Sequence, residues 1–229
     1  MDYKVVENYY VGDNIYYIKI EGKFNAKMGQ FYMLRAWDNF PLLSRPISIF
    51  EVEENYISFL YKVVGKGTEI ISKLREYDYI KLEGPYGNGF EKVKGKIALV
   101  GGGVGIAPLY MVAKELENCD AYLGFNEEEI MLDIFSKECE NVFTTKGSTF
   151  ITDILDVEKY DYIMVCGPTP MMKKILDMAN ETRTRVQVSL ENHMACGVGA
   201  CLVCTCKTHS GNKKTCKDGP VFWGEDVIL

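Results

Sequence analysis

The sequence predicts an antiparallel β-barrel, then an α/β unit with a parallel sheet, then a small cysteine-rich unit. Three observations predict it. Short strands recur closely over the first 90 residues, strands alternate with helices from Lys96 onward, and five of the eight cysteines crowd into the last 34 residues.

The first unit, residues 1–93, is read from composition and spacing. Tyr9–Val11 and Asn14–Ile20 are dense in aromatic and β-branched residues, and Gly12-Asp13 between them signals a hairpin. Phe31–Ala36, Ile47–Val52, Tyr56–Val63 and Tyr79–Leu82 continue the pattern, which suits an antiparallel barrel or sandwich. One helix is expected over Thr68–Glu76, with Ile70, Ile71 and Leu74 on one face and Thr68 as N-cap. The loop Gly84-Pro-Tyr-Gly-Asn-Gly89 marks the first boundary.

In residues 94–190 the rhythm changes. Ile97–Val100, Ala121–Phe125, Val142–Thr144 and Tyr162–Cys166 read as strands. Ile106–Leu116, Glu127–Phe135 and Pro170–Ala179 read as helices, the last opened by its proline. Such alternation means βαβ units and a parallel sheet. Gly101-Gly-Gly-Val-Gly105 follows a strand and opens a helix. At Gly102, Gly103 and Gly105 the backbone N–H groups can approach a pyrophosphate, helped by the helix dipole. The run is not the strict G-x-G-x-x-G fingerprint, and a plain tight turn is the alternative. Cys166-Gly167-Pro168 ends a later strand at the same carboxyl edge, where such sheets bind ligands.

Residues 191–229 carry Cys196, Cys201 and Cys204 in a C-x4-C-x2-C spacing, with Cys216 twelve residues on. This is the plant-type spacing for a [2Fe–2S] cluster, which also needs one distant fourth cysteine. A loop wrapping iron must turn sharply with its backbone close to the sulfides, and Gly197 and Gly199 allow that. Zinc is the competing metal, but paired C-x2-C knuckles are wanted for it and only Cys201/Cys204 has that form. Cys216 is taken as the fourth ligand because it comes from a separate loop. Cys206 is a formal rival.

Composition excludes several classes. Hydrophobic residues make up 47% and charged residues 25% of 229, which rules out disorder. The net charge of −6 argues against a non-specific nucleic-acid binder. The longest uncharged run, Ile97 to Ala113, is centred on glycines, so a strand, turn and helix start fit it better than a membrane span. No basic n-region precedes an apolar run at the start, and a clustered thiol set suits a reducing compartment, so a cytoplasmic protein is expected.

Taken in order, Arg45-Pro-Ile-Ser48, Gly67-Thr68, Gly84 to Phe90, Gly101 to Pro108, Cys166-Gly-Pro168 and the cysteine tail resemble the ferredoxin–NADP reductase superfamily across nearly the whole chain. The ending, Ala195 to Cys204 with Thr215 to Phe222, is similar to one branch, the electron-transfer subunits of class 1B dihydroorotate dehydrogenase. The resemblance implies an FAD-binding barrel, a NAD-binding α/β domain and a C-terminal [2Fe–2S] domain. It places FAD on Arg45, Pro46, Ile47, Ser48, Leu60, Tyr61, Lys62, Gly67 and Thr68, and the cluster on Cys196, Cys201, Cys204 and Cys216. Where the superfamily usually has Tyr two residues after the arginine this chain has Ile47, so Tyr61 is a candidate for stacking on the flavin ring.

These parts order themselves. A hydride carries two electrons and a [2Fe–2S] cluster passes one, so the flavin belongs between nicotinamide and cluster. Hydride transfer needs no side-chain acid or base, and no catalytic residue is named. The resemblance implies a partner, the FMN-containing dihydroorotate dehydrogenase catalytic subunit, in a heterotetramer active in pyrimidine biosynthesis. Two alternatives stand: a subunit of an NAD(P)H–ferredoxin or hydrogenase-type complex, and a zinc-bearing interaction module. NADH is expected over NADPH because Glu127, Glu128 and Glu129 follow the second strand of the sheet and would repel a 2′-phosphate, unless Arg183 or Arg185 reaches the site.

Overall fold

The computed structural model describes residues 2–229. Six strands close into an antiparallel barrel: β1 (Asp2–Gly12), β2 (Ile15–Glu21), β3 (Phe31–Arg35), β4 (Arg45–Val52), β5 (Tyr56–Lys62) and β6 (Tyr79–Tyr86), in the order β1-β2-β5-β4-β3-β6. Closure removes the exposed edges that an open sheet of this size would present. The β1–β2 turn is Asp13-Asn14 rather than Gly12-Asp13. Both residues take left-handed backbone angles (φ 52° and 61°), which a two-residue hairpin requires.

Helix α1 (Lys66–Ile71) is earlier and shorter than expected. Its N-cap is Gly65, not Thr68. The Thr68 hydroxyl instead sits one turn in and accepts the N–H groups of Val64 and Gly65 at 3.0 and 3.3 Å. The first turn is thus closed by a side chain reaching backward, and no cap is needed at position 68.

A second sheet holds β7 (Ile97–Gly102), β8 (Cys119–Phe125), β9 (Asn141–Lys146), β10 (Tyr162–Cys166), β11 (Arg185–Ser189) and β14 (Val221–Trp223), in the order β14-β11-β10-β7-β8-β9. All pairs are parallel except β11–β14. Helices α2 (Ala107–Glu115), α3 (Leu132–Glu138) and α4 (Thr169–Ala179) connect strands of this sheet. Residues 127–130 are loop, not helix. Glu128 there accepts the Asp13 N–H at 3.1 Å and the Tyr10 hydroxyl at 3.3 Å, which ties the segment to the barrel hairpin. A helix begins only at Leu132, after Met131 turns through φ 59°.

The tail contains more strand than its composition suggests. A hairpin, β12 (Thr205–Thr208) with β13 (Gly211–Lys214), follows the cysteine loop, and β14 then joins the large sheet. Barrel and sheet share one apolar core. At their junction the Phe50 ring of β4 stacks on Tyr110 of α2, centroids 4.7 Å apart, and Lys114 of α2 pairs with Glu51. Phe50→Ala empties that junction. It should lower the unfolding free energy by about 3–5 kcal/mol, and denaturant titration of the flavin-free chain measures this.

Candidate functional site

Two cavities open side by side along the carboxyl edge of the large sheet. The first, about 540 Å³, is lined by Arg45, Pro46, Ile47 and Ser48 of β4, by Leu60, Tyr61 and Lys62 of β5, and by Thr68. Eight of the nine residues that the resemblance assigns to FAD therefore meet around one space of cofactor size. The ninth, Gly67, is not on the wall. A side chain there would strike Arg45 Nε at 2.5 Å and Trp37 Cη2 at 2.9 Å, so glycine is what lets Arg45 lie against α1.

Arg45 donates to the carbonyls of Leu43 and Ser44 at 2.6 and 3.4 Å and lies over the Trp37 ring, 5.5 Å from its centroid. Among the described residues it pairs with no carboxylate. A guanidinium oriented by carbonyls but left with its charge uncompensated suits a phosphate. Tyr61 is 1% exposed, its hydroxyl donates to Asn8 Oδ1 at 3.0 Å, and its ring stacks on Tyr16. Tyr61 thus lines the cavity as a residue held in place by Asn8 and Tyr16.

The second cavity, about 610 Å³, is lined by Gly102 and Gly103 after β7, Gly124 to Asn126 at the end of β8, Thr145 of β9, residues 149–152, and Gly167-Pro168 after β10. Gly103 is left-handed (φ 55°) with open space where a side chain would be, as a backbone approached by a ligand requires. Gly105 is not on this wall. It packs against the Cys166 carbonyl, where no side chain would fit. Cys166 is not on it either. It is 1% exposed, and burial, then the nearby Glu191 carboxylate, pushes its thiol well above the usual range. Both residues support the cavity from behind.

Lys62, Val104 and Glu191 line both cavities, so the two spaces meet there. The Glu191 side chain reaches solvent through these openings, yet it is set deep among neighbouring atoms, and that enclosure raises its carboxyl pKa. Sequence reasoning missed Glu191, and also Asn192, His193, Met194 and Pro220, which line the first cavity from the tail. No motif marks them: residues 191–194 run on from the end of β11, and Pro220 stands just before β14.

Cys204 and Cys216 lie beside the first cavity, packed on Phe31 and Met194 of its lining. Among the described residues no three His, Cys, Asp or Glu side chains converge as ligands of a single ion. The thiols instead form two pairs, Cys196 with Cys201 and Cys204 with Cys216. Backbone N–H groups point at the sulfurs: Gly199 donates to Cys216 at 3.1 Å and Cys216 to Cys204 at 3.4 Å. Donation from Cys201 and Val198 lowers the Cys196 thiol to about 6, while burial and then Cys204 push Cys216 up to about 12. Two pairs of thiols ringed by N–H donors are a donor set suited to two irons and bridging sulfides.

Gly197 (φ 72°) lies against the barrel, where a side chain would meet Met33 Cγ at 3.1 Å and Tyr86 Cδ2 at 3.2 Å. Cys204 and Cys216 pack with Phe31, Met33, Tyr86 and Met194. Cys206 is elsewhere. It sits on β12 opposite Lys213, whose carbonyl it approaches at 3.6 Å, and it packs on the core of the large sheet. Arg185 pairs with Glu225 and lies over the Trp223 ring at the far end of β11, so it does not reach the second cavity. Of the acidic run only the preceding Asn126 lines that cavity.

Comparison with known proteins gives the family. Residues 191–228 match the family model for the iron–sulfur cluster binding domain of dihydroorotate dehydrogenase B. The chain is 49% identical to the dihydroorotate dehydrogenase B (NAD+) electron transfer subunit of Clostridium acetobutylicum, over 99% of this chain and 96% of that one. It is 44% identical to the same subunit of Clostridium perfringens, over 98% and 96%. A chain from the structure of an NADH-dependent reduced ferredoxin–NADP oxidoreductase superposes with a TM-score of 0.89 at 30% identity, covering 99% of this chain and 89% of that one. Ferredoxin–NADP+ reductase of Plasmodium falciparum (TM-score 0.67, 18% identity, 82% of this chain and 95% of that one) shares the fold. By identity and coverage, this chain belongs to the family of dihydroorotate dehydrogenase B (NAD+) electron transfer subunits.

Proposed function

We propose that this electron-transfer subunit holds FAD in the first cavity, takes NAD(H) in the second, and carries a [2Fe–2S] cluster on Cys196, Cys201, Cys204 and Cys216. Electrons then pass between NAD(H) and the FMN of a dihydroorotate dehydrogenase catalytic subunit, in the cytoplasm. One observation carries the reading. Lys62, Val104 and Glu191 join the two cavities, and Phe31 and Met194 line the first cavity while packing on Cys204 and Cys216. The three seats stand in a row with single side chains between them.

FAD, when bound, converts a two-electron hydride into the single electrons that an iron–sulfur cluster carries. The chain positions the rest. Arg45 faces the pyrophosphate, and Ser48 and the β5 residues Leu60 to Lys62 border the ring system. Gly102, Gly103 and the Gly167-Pro168 turn receive the dinucleotide backbone on the opposite side. Residues 1–93, 94–190 and 191–229 act as three functional units, although the last strand of the third completes the sheet of the second.

Cys201 is exposed, and Val198, Leu202 and Val203 around it are 51%, 62% and 56% exposed. We assign this apolar rim to the catalytic subunit, in a heterotetramer, since an electron must leave the thiol loop toward another protein. The architecture also serves the ferredoxin-linked oxidoreductase noted above, so the acceptor must be tested.

Each assignment has its measurement. Serine at Cys196, Cys201, Cys204 or Cys216 should abolish the visible absorption and iron content of the cluster, and Cys206→Ser should preserve both. Loss with Cys206→Ser and retention with Cys216→Ser would reverse the ligand choice. Arg45→Gln should weaken FAD binding about 10- to 100-fold, the value of a charge-assisted hydrogen bond, read as flavin fluorescence released on dilution. The chain alone should reduce dyes with NADH but not oxidise dihydroorotate, and co-purification from its source should bring down an FMN protein with that activity. Recovery of a ferredoxin-reducing partner instead would favour the ferredoxin-linked reading.

A further inference from the structure

The second cavity has a distal end that the electron path does not use. Nicotinamide must reach the flavin where Lys62, Val104 and Glu191 join the cavities, and the pyrophosphate belongs at Gly102 and Gly103. The adenosine half is then left over the ends of β8 and β9. This placement rests on the NAD(H) assignment made above.

Two features of that end point to a ligand. Thr145 is 8% exposed, lines the cavity, and its hydroxyl is buried with no hydrogen-bond partner. A buried hydroxyl without a partner costs free energy unless a ligand supplies one. Beside it Gly124 keeps the surface flat. A side chain there would meet Ile151 Cβ at 3.3 Å and Thr145 Oγ1 at 3.7 Å. Thr145 therefore offers a hydroxyl to a ribose diol laid across Gly124. Phe150, 67% exposed on the same cavity, presents a ring for the adenine.

The second feature concerns charge. The cations lining the cavity are Lys62, at the flavin junction, and Lys174 of α4. Lys174 Nζ lies 2.6 Å from Asp153 Oδ1. Asp153 ends the turn Ile151–Asp153, whose Ile151 touches Gly124, and its carboxylate also accepts the Phe150 N–H at 3.1 Å. The carboxylate is thus fixed by the backbone beside the adenosine seat, and it holds Lys174.

We propose that the Asp153–Lys174 pair sets the choice between the two dinucleotides: by neutralising Lys174 beside the adenosine ribose, Asp153 denies a 2′-phosphate the cation it needs. Discrimination against NADPH then comes from an occupied lysine, not from the acidic run 127–129, which does not line the cavity and whose Glu128 bonds to the barrel hairpin. The pair is half exposed, so it contributes little to folding. Its effect lies in what it withholds from a ligand.

Calorimetric titration of the FAD-loaded full chain with ADP-ribose and with 2′-phospho-ADP-ribose tests this, because neither probe reacts with flavin. Asp153→Asn keeps an acceptor for the Phe150 N–H but frees Lys174. It should tighten binding of the 2′-phosphorylated probe about five- to tenfold, with ADP-ribose changed by less than about twofold. The gain should fall as salt is raised and vanish in Asp153→Asn/Lys174→Gln. An unchanged ratio in Asp153→Asn, or a gain that survives loss of Lys174, would overturn the proposal. Thr145→Val should weaken both probes about fivefold. If ADP-ribose binds but ignores that substitution, the adenosine seat is misplaced and this inference falls alone. If ADP-ribose does not bind the wild-type chain at all, the NAD(H) assignment falls with it.

Discussion

The pairing of β14 with β11 holds the two cavities and the thiol loop together. Ser189 and Val221 are register partners, so residues 190–220 leave the sheet and return to it at the same point. Everything between them is a closed loop, and the loop contains all four thiols. A long loop costs only slowly increasing closure entropy, but only if its ends are pinned. Here both ends are pinned to a sheet, and Leu190 N–H donates to the Pro220 carbonyl across the neck at 2.9 Å. The barrel grips the same neck from the other side. Asn88 N–H donates to the Gly219 carbonyl at 2.6 Å, and its side-chain amide donates to the carbonyls of Lys217 and Asp218. The thiol loop is therefore clamped between the two larger units, at the place where the first cavity opens.

That clamp explains which parts were legible in the sequence. Motifs that act through their own local backbone were readable: the glycine turn at 101–105, the Arg45 to Ser48 run and the cysteine spacing all announce local geometry. Strands with strong β-branched or aromatic density, such as Tyr56–Lys62 and Tyr162–Cys166, were readable for the same reason. Elements whose identity depends on a distant partner were not. Val221–Trp223 is three residues long and is a strand only because β11 presents an open edge. Arg185–Ser189 alternates, with Val186 and Val188, but over only five residues, and its pairing with β10 and β14 is what fixes it in the sheet. The segment 127–130 has helix-forming glutamates, yet Glu128 bonds to the barrel hairpin, and that tertiary contact outweighs a weak propensity.

The candidate site divides the same way. The residues that the resemblance assigns to FAD come together as a set because most of them occupy adjacent strands, β4 and β5, with α1 beside them. The roles of Gly67, Gly105 and Cys166 could not be separated from those of their neighbours, because a glycine that admits a ligand and one that admits a backbone look alike in sequence. Gly103 has open space beside it, whereas Gly105 has the Cys166 carbonyl. Only the structure distinguishes them. The residues that join one seat to the next, Glu191, Phe31 and Met194, belong to no motif because bridging is a property of the assembled interface.

The thiol loop is asymmetric, and the asymmetry follows from its clamp. Cys204 and Cys216 are 2% and 1% exposed and face the barrel wall through Phe31, while Cys201 is exposed among apolar residues. Cys216 of the inner pair lies just before residues 217–219, which Asn88 holds at the neck. The outer pair lies at the far side of the left-handed turns at Gly197, Gly199 and Leu202 (φ 72°, 80° and 63°). Stabilisation of negative charge is thus distributed along the loop. The outer sulfur of Cys196 receives several backbone N–H groups, and the buried inner sulfurs of Cys204 and Cys216 have fewer donors. A negative charge on the loop is therefore met unequally, with more backbone donors at Cys196 than at Cys216. The left-handed turns between 197 and 202 bring those donors to Cys196, while the clamp at the neck leaves Cys204 and Cys216 against the barrel wall.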